Sequence, residues 1–171
     1  MTQFTIGRDE QREIVLTQPG EYEVLLVGEG ANVLIRGAFR ASHSEMLTVS
    51  IVLRHQAKHT RAETTLKGVV SDTAFLKFVG RICIDEHCGD TNSFLTERIL
   101  VLSDTARAEA IPDLEIKTDD VKCSHAASIS RIPPEQLFYL MSRGISLQNA
   151  QELVIAGFLA QSSHLSENRV K

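Results

Sequence analysis

Hydrophobic and polar residues alternate in short segments along most of the chain. The longest alternating run covers residues 74–85, where Leu76, Phe78 and Ile82 share one face with Gly80 and Ile84. Period-two alternation over this length predicts a β-strand with one face in the core. Shorter runs of the same kind predict strands at 22–27, 33–39, 46–53, 98–102, 114–116 and 121–129. Strands that begin every ~10 to 15 residues indicate an all-β sandwich, barrel or solenoid. No convincing internal sequence repeat decides among the three.

The pattern changes to helical spacing after residue 132. Pro133 and Pro134 suit the first turn of a helix, and Gly144 suits its end. Ser146 then predicts the cap of a second helix over 147–160. The predicted core-facing stripe of this helix consists of Leu147, Ala150, Leu153, Val154, Gly157 and Phe158. Ile155 and Leu159 fall outside that stripe, which indicates either a docked partner or two surface hydrophobic residues.

Composition narrows the classes of function. The net charge of −4 argues against a nucleic-acid-binding surface and against a polybasic membrane contact. The N-terminus has no apolar signal segment and no run is long enough to span a bilayer, so a cytoplasmic location is expected. The three cysteines, an odd number, favour free thiols or metal ligands over a disulfide framework. The absence of a P-loop motif indicates that the chain carries no ATP site of that type.

The segment DDVKCSHAAS, residues 119–128, places Cys123 two residues before His125. On a strand both side chains point to one face, about 6–7 Å apart. A thiolate and an imidazole suit zinc, copper(I) or an iron–sulfur cluster, but such centres generally need about four ligands. A second chain at a two-fold interface would supply the rest. The alternative is a buried thiol beside a hydrogen-bonded histidine, while a Cys–His nucleophile is disfavoured by the separation.

The other cysteines and histidines are interpreted more simply. Cys83 and Cys88 flank His87 without the spacing of a zinc knuckle, so packing is favoured over ligation. Three further histidines are expected to be solvated: His43, His55 and His59.

Four blocks resemble the core domain of the SufB/SufD family of iron–sulfur cluster assembly proteins. They are LKGVVSDTAFLKFVGRICI, ERILVLSDTARAEAIPDLEIKTDDVKCSH, EQLFYLMSRGIS and an apolar helix that ends in AGF. Together they cover about residues 66–159. The resemblance implies a right-handed parallel β-helix with a C-terminal helical pair. The implied division is a β-helix core at 1–132, helices at 133–160 and a flexible tail at 161–171.

The resemblance also implies a function. The chain is expected to be a non-enzymatic scaffold that assembles a transient iron–sulfur cluster and passes it to client apo-proteins. Cys123 and His125 match motif positions implicated in cluster assembly at a subunit interface, in a homodimer or a SufB/SufD-like heterodimer. The helical pair corresponds to a docking region for a SufC-type ABC ATPase. Its predicted contact residues are Leu137, Phe138, Tyr139, Arg143, Gly144, Ile155 and Leu159. Cys83 is the nearest candidate for an additional sulfur-transfer cysteine.

Two other functions fit the same residues. One is a dimeric module that docks an ABC ATPase without binding a cluster, and the other is a structural zinc-binding dimer.

Overall fold

A computed structural model describes residues 1–160, and the predicted tail at 161–171 lies outside the described residues. It contains ten strands and two helices. The first five strands are β1 Thr2–Ile6, β2 Gln11–Leu16, β3 Gly20–Leu26, β4 Asn32–Ala41 and β5 Met46–His55. The next five are β6 Arg61–Val70, β7 Phe75–Ile84, β8 Thr91–Val101, β9 Arg107–Ile116 and β10 Val121–Arg131. The helices are α1 Pro134–Ser142 and α2 Leu147–Ala160. Strands β1, β2 and β6 lie outside the segments that the alternation predicted.

The strands form a parallel β-solenoid, which confirms the predicted fold class. Odd-numbered strands make one five-stranded sheet in the order β1-β3-β5-β7-β9, and even-numbered strands make the other, in the order β10-β8-β6-β4-β2. All pairs are parallel. Each strand pairs with the strand two earlier in the chain and stacks on it. The register aligns Val24 with Leu53, Leu53 with Ile82, and Ile82 with Leu114. The repeat is therefore structural, since it requires an apolar residue at each inward position rather than one particular residue.

The core lies between the two sheets. Inward residues such as Val24, Leu53 and Ile82 have no exposed surface. Phe39 and Phe78 meet edge to face across this core, with ring centroids 5.8 Å apart. Gly68 faces Leu76 so closely that an added Cβ would lie 2.2 Å from its Cδ2 atom. The glycine thus allows the facing side chains to fill the interior without a clash.

Stacked turns connect the strands. Asp9, His59 and Asp90 adopt positive φ angles of 53°, 58° and 54°. Their backbone N–H groups each donate to the next coil, including His59 N–H to the Gly89 carbonyl at 3.1 Å and Asp90 N–H to the Asp120 carbonyl at 2.8 Å. The hydrogen-bond ladder therefore continues around the corners of the solenoid.

The C-terminal helices begin and end largely as their sequence predicts. Helix α1 begins at Pro134, and Gly144 follows it with φ +85°. Ser146 caps α2, because its Oγ accepts a hydrogen bond from the Asn149 N–H at 3.3 Å. No helix among residues 1–160 has the length and apolar character needed to cross a bilayer.

The predicted core stripe of α2 is confirmed at Ala150 and Phe158 and is wrong at Leu147 and Leu153. Ile155 is 3% exposed and packs with Val69 and Leu100 on the outer face of the even-numbered sheet, and Leu159 packs against this cluster. Leu147 and Leu153 are instead exposed. The physical reason is the apolar outer face of strands β6 and β8, which Ile155 covers.

Lys67 fixes the end of α2. Its side chain is buried, and its Nζ donates a hydrogen bond to the Phe158 carbonyl at 2.6 Å. The same ammonium lies 5.4 Å from the centre of the Phe158 ring. A cation at the last carbonyls of a helix is favourable, so Lys67 holds α2 against the solenoid.

Candidate functional site

The Cys123–His125 segment lies on β10, at the end of the even-numbered sheet. Cys123 pairs with Ser93 and His125 with Leu95 of β8. Both side chains lie on one face of the strand, as the i, i+2 spacing predicts, and that face is turned to the interior. Cys123 is half-buried, whereas the His125 side chain is only 1% exposed. The strand therefore places a thiol and an imidazole on one face within the last coil.

Glu97 of β8 lies beside His125. Its Oε2 is 3.3 Å from His125 Nε2, and its side chain is 0% exposed. Both carboxylate oxygens and both imidazole nitrogens lack a hydrogen-bond partner among the described residues. Buried polar atoms are usually hydrogen-bonded, and an unpaired one costs roughly 1–3 kcal/mol. Four such atoms, joined only by the 3.3 Å ion-pair contact, make this point a candidate site for a polar ligand.

Gly80 of β7 leaves room for this pair from the opposite sheet. A Cβ at Gly80 would lie 2.8 Å from Glu97 Oε1 and 2.8 Å from His125 Cε1. It would also lie 2.4 Å from Leu95 Cδ2. The glycine therefore preserves the space in which Glu97 and His125 meet.

The Cys123 thiol is protonated at neutral pH in the absence of a metal. Burial raises its pKa above the ordinary value. A metal would have to displace this proton, since the thiolate is the ligand. The thiol therefore becomes a ligand only when a metal displaces its proton.

The expectation that His55 is solvated is wrong. His55 has no exposed surface, and its ring hydrogen-bonds Thr60 Oγ1 at 2.8 Å and Ser93 Oγ at 2.9 Å. Thr60 in turn contacts Thr91 Oγ1 at 3.1 Å. Burial lowers the His55 pKa to about 4, so the ring is neutral at physiological pH. His43 and His59 lie exposed at turns, as predicted.

The other cysteines do not join this site. Cys83 is buried on the outward face of β7, where its Sγ lies 3.8 Å from Glu115 Oε2. Cys88 is buried at a turn and contacts the His55 carbonyl at 3.5 Å. Burial raises the pKa of both thiols. Within residues 1–160 no three Cys, His, Asp or Glu side chains are grouped to hold a metal ion.

The last coil leaves apolar surface uncovered. Strands β9 and β10 each end their sheet. Four of their large apolar side chains are exposed: Ile111, Leu114, Ile116 and Ile129. Unpaired edge strands with apolar side chains favour association with another chain. The candidate ligands thus lie directly beneath a surface suited to an interface.

The predicted docking residues divide into two groups. Phe138 and Tyr139 of α1 are 75% and 57% exposed, and Arg143 lies 5.3 Å over the Tyr139 ring. Leu137 is half-buried and Gly144 lies at the exposed helix end. Ile155 and Leu159 do not lie on the outer face, because they pack on the solenoid. The exposed apolar surface belongs to α1, with Leu147 and Leu153 of α2.

Residues 18–158 match the protein family described as SUF system FeS cluster assembly, SufBD core domain. The chain is 35% identical over 136 residues to the iron–sulfur cluster assembly protein SufD of Escherichia coli, covering 80% of this chain and 32% of that protein. It is 41% identical over 121 residues to SufD of Bacillus subtilis, covering 71% and 27%. It is 31% identical over 170 residues to a SufBD family protein of Mycobacterium leprae, covering 91% and 43%. The chain therefore spans about a third of the length of these relatives.

Proposed function

Because the chain belongs to the SufBD core family of the SUF system, we propose that it is a scaffold subunit for iron–sulfur cluster assembly. The observation that carries this proposal is the inward-facing Cys123 and His125 in the last coil. Next to them lie the buried, unpartnered carboxylate oxygens of Glu97. These groups share one end of the solenoid, and that end has an uncovered apolar surface.

The ligand chemistry suits a cluster shared between chains. Thiolate and imidazole both bind iron–sulfur clusters, which generally take four protein ligands. Cys123 and His125 supply two, so two chains related by a two-fold axis supply four. The cluster is cargo in this proposal, formed on the scaffold and passed to client apo-proteins.

The partner at the open end is proposed to be a second copy of this chain. Strands β9 and β10 present unpaired edges, and Leu114, Ile116 and Ile129 are exposed beside them. A two-fold interface is self-complementary, so each copy would cover the same apolar residues of the other. This arrangement also brings both copies of Cys123 to one interface.

The helical pair is proposed to dock a SufC-type ABC ATPase. Phe138 and Tyr139 form an exposed aromatic surface, and aromatic residues are enriched at the centres of interfaces. Arg143 stacks on Tyr139 and adds a cation at the edge of this surface. ATP-driven movement of the docked subunit would open and close the proposed interface between the two copies at β9 and β10.

The scaffold proposal is tested by measuring iron and acid-labile sulfide per chain. The protein is purified without oxygen, alone and with its candidate ABC ATPase, and reconstituted with iron and sulfide. We expect near-stoichiometric iron and sulfide in the wild type and their loss in Cys123→Ala. The control is Cys83→Ala, which removes a buried thiol on the outward face of β7.

The outcomes separate the three candidate functions. Equal and negligible iron in wild type and Cys123→Ala, with a dimer in both, would leave the docking module without a cluster. Zinc without sulfide would leave the structural zinc dimer. Loss of iron in Cys83→Ala as well would show that the effect is not specific to the last coil.

The docking surface is tested by co-purification with the ABC ATPase. We expect the double change Phe138→Ala and Tyr139→Ala to abolish capture of the ATPase without changing the melting temperature. Met46→Ala is the matched control, since Met46 is an equally exposed apolar residue on β5. Retained capture by the double variant would refute this docking surface.

A further inference from the structure

We propose that Glu97 and His125, which lie beside Cys123, form a carboxylate–imidazole pair that binds a divalent transition-metal ion. The inference deepens the proposed function, because it assigns the iron-binding step to two named residues. It rests on that function only for the identity of the metal as iron. The metal site itself follows from the local geometry.

The distance between the two side chains fits a shared metal. Glu97 Oε2 and His125 Nε2 are 3.3 Å apart. Ligands at about 2.1 Å from a tetrahedral metal lie roughly 3.4 Å from each other. The observed separation is therefore close to the distance between two ligands of one ion.

A direct hydrogen bond does not account for the pair. Neither the carboxylate oxygens nor the ring nitrogens make a hydrogen bond within the described residues, despite the short approach. A structural ion pair in a dry interior is retained only where additional hydrogen bonds satisfy its remaining polar atoms. Here Glu97 Oε1 and His125 Nδ1 are also unsatisfied. A bound cation would satisfy the carboxylate and one ring nitrogen at once.

The opposite sheet keeps the space open. Any residue other than glycine at position 80 would place its Cβ 2.8 Å from the Glu97 carboxylate and the His125 ring. Interior strand positions are usually filled by larger side chains, as at Phe78 and Ile82 on the same strand. A glycine within a strand often marks a place where another group approaches closely. In this case the groups that approach are the two proposed ligands.

The donor atoms select the class of metal. One oxygen and one nitrogen suit iron(II), zinc(II), cobalt(II) or manganese(II) and disfavour copper(I), which prefers thiolate. Cys123 faces the same side of β10 two residues away and offers a thiolate ligand. Water, hydroxide or sulfide would complete the coordination of a metal that two side chains hold.

Cobalt(II) is the probe, since its visible absorption reports nitrogen and oxygen ligation and its near-ultraviolet charge-transfer band reports thiolate. Oxygen-free titrations compare the wild type with Glu97→Gln, Cys123→Ser and Glu63→Gln. Glu63 lies exposed on the neighbouring strand β6 and is the matched control. We expect one cobalt(II) per wild-type chain and at least about tenfold weaker binding in Glu97→Gln. Cys123→Ser should keep the visible bands and lose any charge-transfer band, and Glu63→Gln should behave as the wild type.

The melting temperature provides a second readout. Cobalt(II) should raise the melting temperature of the wild type and should not raise that of Glu97→Gln. Absence of cobalt(II) binding by the wild type, or unchanged affinity in Glu97→Gln, would overturn the inference. A lower melting temperature of metal-free Glu97→Gln with unchanged affinity would identify a structural ion pair instead.

The iron and sulfide assay separates this inference from the proposed function. Cobalt(II) binding that depends on Glu97, in a protein that never assembles a cluster, would support the metal site and refute the scaffold. Cluster assembly at the wild-type level in Glu97→Gln, with cobalt(II) affinity also unchanged, would refute the metal site and leave the scaffold.

Discussion

Acidification should destabilise the fold through His55, which is buried within the solenoid. Its ring is hydrogen-bonded to Thr60 and Ser93 and has no exposed surface. Burial lowers its pKa from the ordinary 6.5 to about 4. Between these values the unfolded chain binds a proton at His55 that the folded protein does not. Stability is therefore fully present above about pH 6.5 and is lost progressively as the pH falls towards 4.

The size of the loss follows from the two pKa values. Each pKa unit corresponds to about 1.4 kcal/mol, so the full loss below pH 4 is roughly 3 kcal/mol. At pH 5 the unfolded histidine is mostly protonated and the folded one mostly neutral. The same linkage then gives a loss of about 2 kcal/mol relative to pH 7.5. This is a large part of the stability of a domain of this size.

Urea unfolding of the wild type and of His55→Gln at pH 7.5, 6 and 5 measures this effect. Glutamine can hydrogen-bond one of the two hydroxyls but does not titrate, so it removes the pH-dependent contribution of His55. Between pH 7.5 and 5 the wild type should lose about 2 kcal/mol more than His55→Gln. The control is His43→Asn, which removes an exposed imidazole at a residue with positive φ that asparagine tolerates.

Parallel pH profiles for the wild type and His55→Gln would refute the reasoning, because other carboxylates and histidines are common to both proteins. A profile of His43→Asn that matched His55→Gln would also refute it. In that case the burial of His55 would not be the cause of the pH dependence.

Three further predictions follow from packing, helix docking and metal chemistry. Gly68→Ala should cost about 1–3 kcal/mol in urea unfolding, because its Cβ would press on Leu76; Gly157→Ala in α2, with nothing within 4 Å of its Cβ, should instead add about 0.5–1 kcal/mol. Lys67→Met should remove the hydrogen bond to the Phe158 carbonyl, weakening helix docking by about 1–2 kcal/mol. Hydrogen exchange should then accelerate in α2 and remain unchanged in β4 and β5, whereas equal acceleration throughout would contradict a local role. Because burial raises the Cys123 pKa, ligation of cobalt(II) by the thiolate releases a proton. The cobalt(II) affinity measured from the thiolate charge-transfer band should therefore rise ~tenfold per pH unit below that pKa. An affinity that does not change with pH would contradict this.

Inward positions with apolar side chains could be predicted from the sequence, and inward positions with polar side chains could not. The alternation in 74–85 identified the buried face of β7, including Gly80. The same parity continues from Leu53 to His55, and from Leu95 through Glu97 to Ile99. A strict period-two interpretation would have placed both polar residues inside. Polar residues are usually exposed, so the polarity of His55 and Glu97 argues for solvent while their position in the pattern argues for the interior.

The buried face of α2 could be predicted only in part, because this helix is apolar on more than one side. Leu147, Leu153 and Ile155 all fit some hydrophobic stripe, so the sequence pattern does not select one face. The choice depends on the outer face of the even-numbered sheet, where Val69 and Leu100 need cover. That face exists only after strands β6 and β8 have paired. Tertiary contacts therefore decide which face of the helix is buried.

The polar groups inside the solenoid differ according to their level in the stack. His55 lies between coils, and its ring nitrogens meet hydroxyls of Thr60 and Ser93, so this level is complete within one chain. Glu97 and His125 lie in the last coils, and their polar atoms remain unpaired in residues 1–160. At the level of His55 the ring nitrogens are satisfied by hydroxyls of the same chain, although Thr64 Oγ1 on β6 has no hydrogen-bond partner among the described residues. At the open end the missing partner can instead be a metal, a second chain or both. The satisfied ring of His55 therefore supports a role in stability, and the unsatisfied Glu97–His125 pair at the open end supports the proposed metal site.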